Sequence, residues 1–359
     1  METTLSYVLT YISTVATPVI KPASISILAD DSYYTTDSAK PQSDQRFSDF
    51  GVKLSDAHKT GLGSSAALVT ALTAALLVHY LPKDIFSLGS ETGKSRLHNL
   101  AQAAHCAAQG KVGSGFDVAS AVYGSCLYRR FSPSLLQGQG LPGSKSFAKN
   151  INDLVEESDD SHKWDTEIFK DAVKVPPGIR LVMCDVDCGS QTPGMVKQVL
   201  AWRKKEPEEA EMIWSQLHQK NEALAAELTR LSLEKSNDYT QLKQSITDIR
   251  VLIRDMSRLS DVPIEPTPQT TLLDACSEVE GVIGGVVPGA GGYDAVALLV
   301  EDGEEVVANL QRLLTGWKVE AYKDAMGGPS IGKVSVLSVR EEMEGVRLED
   351  GADYGSWTV

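Results

Sequence analysis

Between residues 59 and 67 the chain reads Lys59-Thr60-Gly61-Leu62-Gly63-Ser64-Ser65-Ala66-Ala67, and it runs on into an apolar, alanine-rich stretch that stops before Pro82. Glycines followed by hydroxyls and then by good helix formers predict a tight turn opening a helix. Glycine removes the Cβ that would keep a ligand away, so backbone N–H groups can close around a phosphate. Ser64 or Ser65 is placed to cap the helix, whose N-terminus carries about half a positive charge. Together these features make an anion site at a helix start. The order differs from G-x-x-x-x-G-K-[ST], because here the lysine precedes the glycines. The plain alternative is a capping turn on a buried helix, and two further glycine clusters bear on the choice.

The second cluster, Gly110-Lys111-Val112-Gly113-Ser114-Gly115-Phe116-Asp117, follows a helix read over residues 95–109. Gly110 closes that helix, and Asp117 is placed to cap or enter a short helix ending near Gly124. Ordinary loop chemistry could produce this string. Yet lysine, glycines, serine and aspartate in close succession are also what phosphoryl transfer uses. His98 and His105 lie on one side of the 95–109 helix, but no further His or Cys stands at ligand spacing to support a metal. The third cluster is Pro288-Gly289-Ala290-Gly291-Gly292-Tyr293-Asp294, between apolar strands at 281–287 and 295–300. A hairpin needs fewer small residues than this, so close approach of backbone to a ligand is the expectation.

The remaining chain supplies scaffold. The pattern predicts a helix at 3–19, a strand at 24–28, an exposed loop at 35–50 and a strand at 126–131. Residues 132–178, rich in Ser, Gly, Pro and Asp, read as surface excursions. A buried strand at 179–186 leads into a polar turn with Ser190 and Thr192 before a helix carrying Val196, Val199, Leu200 and Trp202. Two long helices follow. The first, 206–233, turns Met212, Ile213, Leu217, Leu224 and Leu228 inward. The second, 239–259, carries Arg250, Arg254 and Arg258 along one face, either as a solvated face with acidic neighbours or as a phosphate stripe. An acidic helix at 303–314 and a strand at 317–322 continue an alternating α/β pattern, and no fold signal follows Met326.

Composition narrows the function classes. The 359 residues allow one large or two ordinary domains. A net charge of −14 argues against nucleic acid and against an anionic membrane surface. No apolar run reaches the ~18 residues of a membrane span, and the N-terminus lacks the basic region of a signal peptide. Five cysteines without a C-x-x-C pair indicate reduced thiols and a cytoplasmic setting.

Taken together, residues 59–67, the run Asn99-Leu100-Ala101-Gln102-Ala103-Ala104-His105-Cys106 leading to Gly113–Ala119, and residues 288–295 preceded by Gln269-Thr270-Thr271-Leu272-Leu273-Asp274 resemble the fungal-type phosphomevalonate kinases of the GHMP kinase superfamily. The resemblance covers about residues 1–325. It implies an α/β (α+β) fold in two domains, N-terminal related to ribosomal protein S5 and C-terminal ferredoxin-like. The expected divisions are an ATP-binding domain at 1–175, a second domain at 176–325 and an atypical tail at 326–359. The implied reaction transfers the γ-phosphoryl of ATP to the phosphate of 5-phosphomevalonate, with Mg²⁺, in isoprenoid and sterol synthesis. Lys59, Gly61, Leu62, Gly63, Ser64, Ser65 and Ala66 would hold ATP, Ser65 placing its hydroxyl on Mg²⁺. Asp117 matches the family's catalytic aspartate, and Ser114, Gly115, Ser190, Thr192, Gly289, Ala290, Gly291 and Gly292 are candidates for the substrate.

The family's motif P-G-K-x-x-L-x-G-x-Y is not found ahead of the central loop. The expectation is therefore a shortened first domain lacking strands, and weak turnover. The chemistry itself is chiefly positioning and charge stabilisation. A phosphate monoester, with a second pKa of about 6, is already largely dianionic at pH 7 and needs little help from a base. It needs positive charge to offset repulsion between phosphates. Lys111 is thus expected beside the substrate, with Asp117 orienting Lys111 or Mg²⁺. Another GHMP small-molecule kinase such as mevalonate kinase, or a family member without turnover, are the alternatives.

Overall fold

A computed structural model describes residues 1–35, 47, 58–170, 172–186, 192–317, 333–337 and 339–355. Residues 36–46 and 48–50 of the exposed loop expected at 35–50, Ser190, and residues 318–322 of the expected strand lie outside the described residues, as do the side chains of Lys59 and Thr192. In chain order the elements begin with α1 (Glu2–Val15), β1 (Tyr34–Thr35), β2 (His58–Lys59), α2 (Ser64–Tyr80), α3 (Glu91–Gln109), α4 (Phe116–Tyr123), β3 (Leu127–Arg129), α5 (Phe147–Glu156) and β4 (Glu167–Phe169). They continue with β5 (Ile179–Val186), α6 (Thr192–Lys205), α7 (Pro207–Glu234), α8 (Thr240–Ser260), α9 (Thr267–Ser277), β6 (Val282–Val286), β7 (Ala295–Glu301), α10 (Glu304–Thr315) and β8 (Val334–Val336). Two compact units result. Met1–Ala29, Gly63–Ala172 and Glu342–Val359 form the first; Asp30–Leu62 and Val173–Glu341 form the second.

The first unit is organised around α2. Its buried Val69, Leu72, Leu76 and Leu77 point to several sides, so the helix must be surrounded, and α1, α3 and α4 pack around it. Ser90 starts α3 by accepting the Gly93 N–H at 3.0 Å, and Gly110 ends it in the left-handed conformation at φ 65°. Helix α5 lies inside the stretch read from sequence as surface. Phe147, Ile151, Leu154 and Val155 have helical spacing and are all buried, with the Phe147 ring edge-on to Tyr7 at 4.9 Å. Polar flanks hid it. The strand expected at 24–28 does not form; Ile25 and Ile27 stay 46% and 43% exposed. Alternation makes a strand only where a partner edge offers hydrogen bonds.

Residues beyond Met326 carry structure that the sequence did not signal. Strand β8 joins the sheet of the second unit. Further on, the Ser125 N–H donates to the Glu342 carbonyl at 2.7 Å and Val346 N–H to Val122 carbonyl at 3.3 Å, which fastens this segment to the end of α4.

The second unit holds an antiparallel four-stranded sheet ordered β6-β7-β5-β8. Strand β5, helices, β6, β7, α10 and β8 follow the β-α-β-β-α-β order of a ferredoxin-like arrangement. Val182, Cys184, Leu272, Leu273, Val296, Leu298 and Leu310 fill the core under it. The long helices form as read, with Ile213, Leu217 and Leu228 buried, but Met212 is 54% exposed. On α6, Trp202 is buried while Val196 and Leu200 face out. The arginine stripe of α8 is consumed internally. Arg250 meets Glu265 and Asp274, each at 2.8 Å; Arg254 meets Glu265 at 3.0 Å and Arg258 meets Asp255 at 3.2 Å.

Candidate active site

Thr60 precedes the central loop, at the end of the second unit's segment. It is buried, its N–H donates to the Tyr33 carbonyl at 3.2 Å and its hydroxyl to the Ser32 carbonyl at 2.6 Å. Gly61 and Gly63 then take φ of 74° and 77°, a region costly for residues with a Cβ. Gly63 is the N-cap, and no side chain caps the helix. This corrects the expectation that Ser64 or Ser65 caps it: both lie inside the first turn, with Ser64 and Ala66 buried. Among the described residues no acceptor meets the N–H groups of Ser64 and Ser65, because the Gly63 carbonyl takes only those of Ala66 and Ala67. A helix start of this kind presents donors and a positive pole to an anion.

The second cluster repeats the device. Gly115, buried at φ 86°, is the N-cap of α4, again without a side-chain cap. A Cβ there would lie 2.6 Å from both Gln102 Oε1 and Tyr128 Oη, so glycine is required. Strand β3 and its continuation steer the loop: Tyr128 donates to the Ser114 carbonyl at 2.8 Å and Arg130 to the Gly113 carbonyl at 2.8 Å. Asp117 enters the first turn of α4 and accepts the Val118 N–H at 3.0 Å. The two helix starts adjoin, since a Cβ on Gly63 would stand 3.4 Å from the Asp117 Cβ.

Two side chains that the loops alone did not single out, His105 and Gln109, complete this place. His105 Nε2 lies 3.1 Å from Ser65 Oγ, and Gln109 Nε2 lies 2.9 Å from the same nitrogen. His105 Nδ1 faces Asp117 Oδ2 at 3.9 Å. Burial pushes the His105 imidazole below its ordinary range; the Asp117 carboxylate opposes this and Lys111 adds to it. Lys111 is exposed and forms no ion pair with Asp117 among the described residues; His105 is the neighbour Asp117 faces. The i, i+4 spacing of His105 and Gln109 on a helix leading into a glycine loop is the signal that could have found them.

His98, paired with His105 in the sequence, points elsewhere. It is enclosed by Tyr123 and Trp164, and burial holds its pKa down at about 4. The third cluster belongs to the second unit. Gly289, Gly291 and Gly292 take φ of 66°, 81° and 103°. A Cβ on Gly291 would lie 2.4 Å from the Ile264 carbonyl oxygen, and the Gly292 N–H donates to that oxygen at 2.8 Å. The close approach that these two glycines permit is thus to the chain itself, while Gly289 and Ala290 are exposed.

Glycine-capped helix starts beside an aspartate and a ferredoxin-like sheet are the features expected of the GHMP kinase class. A sequence profile of the family described as GHMP kinases N terminal domain matches residues 48–125. A solved structure, a Lin0012 protein from Listeria innocua, shares the fold with a TM-score of 0.54 at 21% identity, over 80% of this chain and 71% of that one. Among curated proteins, the phosphomevalonate kinase of Gibberella zeae is 54% identical over 99% of this chain and 77% of its own length. That of Aspergillus fumigatus is 51% identical over 99% and 75%, and the peroxisomal phosphomevalonate kinase of Arabidopsis thaliana is 35% identical over 82% and 61%. The chain belongs to the phosphomevalonate kinase family.

Proposed function

We propose that this chain transfers the γ-phosphoryl of ATP to the phosphate of 5-phosphomevalonate, giving 5-diphosphomevalonate and ADP. The observation that carries this reading is the pair of adjoining, uncapped helix starts at Gly63 and Gly115, with Asp117 between them. Gly61, Leu62, Gly63, Ser64, Ser65 and Ala66 hold the ATP phosphates on backbone donors, with Lys59 nearby in sequence. Lys111 offsets repulsion between the two phosphate groups, with Ser114 and Gly115 beside it in the first unit as candidates for the substrate; Ser190, Thr192, Gly289 and Ala290 of the second unit are candidates on the family resemblance alone. Gly291 and Gly292 set the course of their loop.

A divalent cation fits the donor chemistry present. Mg²⁺ keeps several waters and binds through one or two protein oxygens plus substrate phosphates, so it needs no closed protein cage. Ser65 Oγ and the Asp117 carboxylate are such oxygens, and Mg²⁺ there would neutralise phosphate charge. Asp117 is a poor candidate for a base, because the acceptor phosphate is already ionised. We place the reaction in isoprenoid and sterol synthesis, with a cytoplasmic location; no helix among the described residues is long and apolar enough to cross a membrane.

Coupled assays with phosphomevalonate, mevalonate and homoserine test the substrate. Turnover is expected with phosphomevalonate alone; turnover on mevalonate would favour an alcohol acceptor and restore a base role to Asp117. Lys111→Met should lose at least as much kcat as Asp117→Asn, each on the order of 100-fold. A loss in Asp117→Asn several orders of magnitude beyond that of Lys111→Met would overturn the charge-based reading.

A further inference from the structure

His105 stands between the two helix starts and belongs to neither loop. Its ring is 5% exposed, and its nitrogens face different elements. Nε2 is directed at Ser65 Oγ, at the start of α2, and at the Gln109 side-chain amide one turn further along α3. Gln109 Nε2 also reaches Ser65 Oγ at 3.5 Å, so the three groups form a closed triangle. Nδ1 faces Asp117 on α4 at 3.9 Å, a charge contact longer than a direct hydrogen bond.

A neutral imidazole has one donor nitrogen and one acceptor, and its neighbours decide which is which. An ionised carboxylate only accepts, so the nitrogen facing Asp117 gains by carrying the hydrogen. The nitrogen facing a hydroxyl and an amide NH₂ gains by leaving its lone pair open. The Asp117 side selects the Nδ1–H tautomer, and the Ser65 hydroxyl, which can donate as well as accept, accommodates it. The hydroxyl of Ser65 would otherwise rotate among staggered positions and could point its hydrogen at an incoming cation.

We propose that His105 is a positioning residue held as the Nδ1–H tautomer, whose open Nε2 takes the Ser65 hydroxyl hydrogen and so turns the Ser65 oxygen lone pairs toward the cation and phosphates of the nucleotide. This rests on the kinase reading above for what the site binds, but not for the tautomer itself. The single lone pair of Nε2 is shared with the Gln109 amide, 2.9 Å away, in a three-centre contact, so Gln109 holds the ring from the side. The ring also ties α2, α3 and α4 together where the two glycine-capped starts meet, so Ser65 and Asp117 keep a fixed spacing before any ligand arrives.

Long-range nitrogen–proton NMR of the histidine rings in the nucleotide-free protein at pH 8 reads the tautomer directly, with the His105 signals assigned by their loss in His105→Gln. The expected pattern is a protonated Nδ1 and a bare Nε2; a protonated Nε2 overturns the proposal. Thermal melts with and without MgADP, and steady-state kinetics, then compare two variants. His105→Phe fills the ring volume without nitrogens and should raise KM for MgATP about tenfold, the worth of one hydrogen bond. It should leave KM for phosphomevalonate unchanged and shrink the MgADP-induced rise in Tm. His105→Gln, which can offer an amide oxygen near Nε2, should recover most of both. MgADP protection in His105→Phe equal to that of wild type would sink the idea. Should His105→Phe fail to fold, the tautomer and His105→Gln still decide. Neither NMR nor MgADP binding needs turnover, so inactivity on phosphomevalonate would fault the functional reading alone.

Discussion

Gly63 and Gly291 hold nearly the same backbone angle, with φ of 77° and 81°. Each lies in a run of small residues that reads as a ligand loop, but their surroundings differ. Beside Gly63 a Cβ would meet only the Asp117 Cβ, at 3.4 Å, and the N–H groups that follow open the helix without a cap. Beside Gly291 a Cβ would run into the Ile264 backbone at 2.4 Å, and the Gly292 N–H is already engaged by Ile264. One glycine leaves donors for a ligand; the other lets two stretches of the same chain touch. The sign of a glycine loop in sequence is therefore a sign of close approach, and what approaches is decided elsewhere.

Gly291→Val puts the sharpest strain on this contrast. The overlap with Ile264 and the left-handed backbone should together cost roughly 4 kcal/mol, read as a lower midpoint in urea denaturation. The MgADP-induced shift, measured from the variant's own lower Tm, should persist. A stability equal to that of wild type would mean that this loop does not pack on Ile264.

A smaller effect separates the scaffolds behind the loops. His98, on the α3 helix that backs the α2 and α4 starts, is buried among aromatic rings, and its Nε2 has no partner among the described residues. Its pKa is about 4 in the folded chain against 6.5 ordinarily, so in between the unfolded chain binds the extra proton. The contribution is full above about pH 6.5 and is lost as pH falls toward 4, which comes to about 3 kcal/mol over that window. Chemical denaturation of His98→Phe at a series of pH values should lack this part of the slope. An identical pH profile in both proteins would show that His98 is not the buried neutral group described.

The least costly substitution for stability should be the most costly for binding. Gly63→Val has room for its Cβ, so it should cost only about 1–2 kcal/mol for the left-handed backbone. Its bulk would stand over the donors at the start of α2, and protection by MgATP in a thermal melt should disappear. Undiminished protection would move the nucleotide away from this loop and erase the difference from Gly291.

The legible part of this protein was local. Apolar runs and helix formers gave α2, α7 and α8, Gly110 gave the end of α3, and the run at 179–186 gave β5, because propensity and burial period act within a few turns. The residue strings around Gly63, Asp117 and Gly291 were enough to place the family. Helix α5 was not read although Phe147, Ile151, Leu154 and Val155 keep helical spacing, because it is only 10 residues long and its Ser-, Gly- and Asp-rich flanks read as surface. The failed strand at 24–28 shows the converse, a good local pattern with no partner edge among the described residues.

What only the tertiary structure decided is who meets whom. Ser65 and His105 are 40 residues apart, Arg250 and Glu265 are 15 apart, and nothing in either neighbourhood names the other. Sequence alone determined that donors, a lysine and an aspartate would sit on glycine turns at helix starts. The packing of α2 against α3 and α4 decided that His105 would reach Ser65 and face Asp117, and that the arginine stripe would be spent on Glu265 and Asp274. Backbone preferences are set by each residue and its near neighbours, whereas contacts between distant side chains exist only after apolar faces have closed a common core.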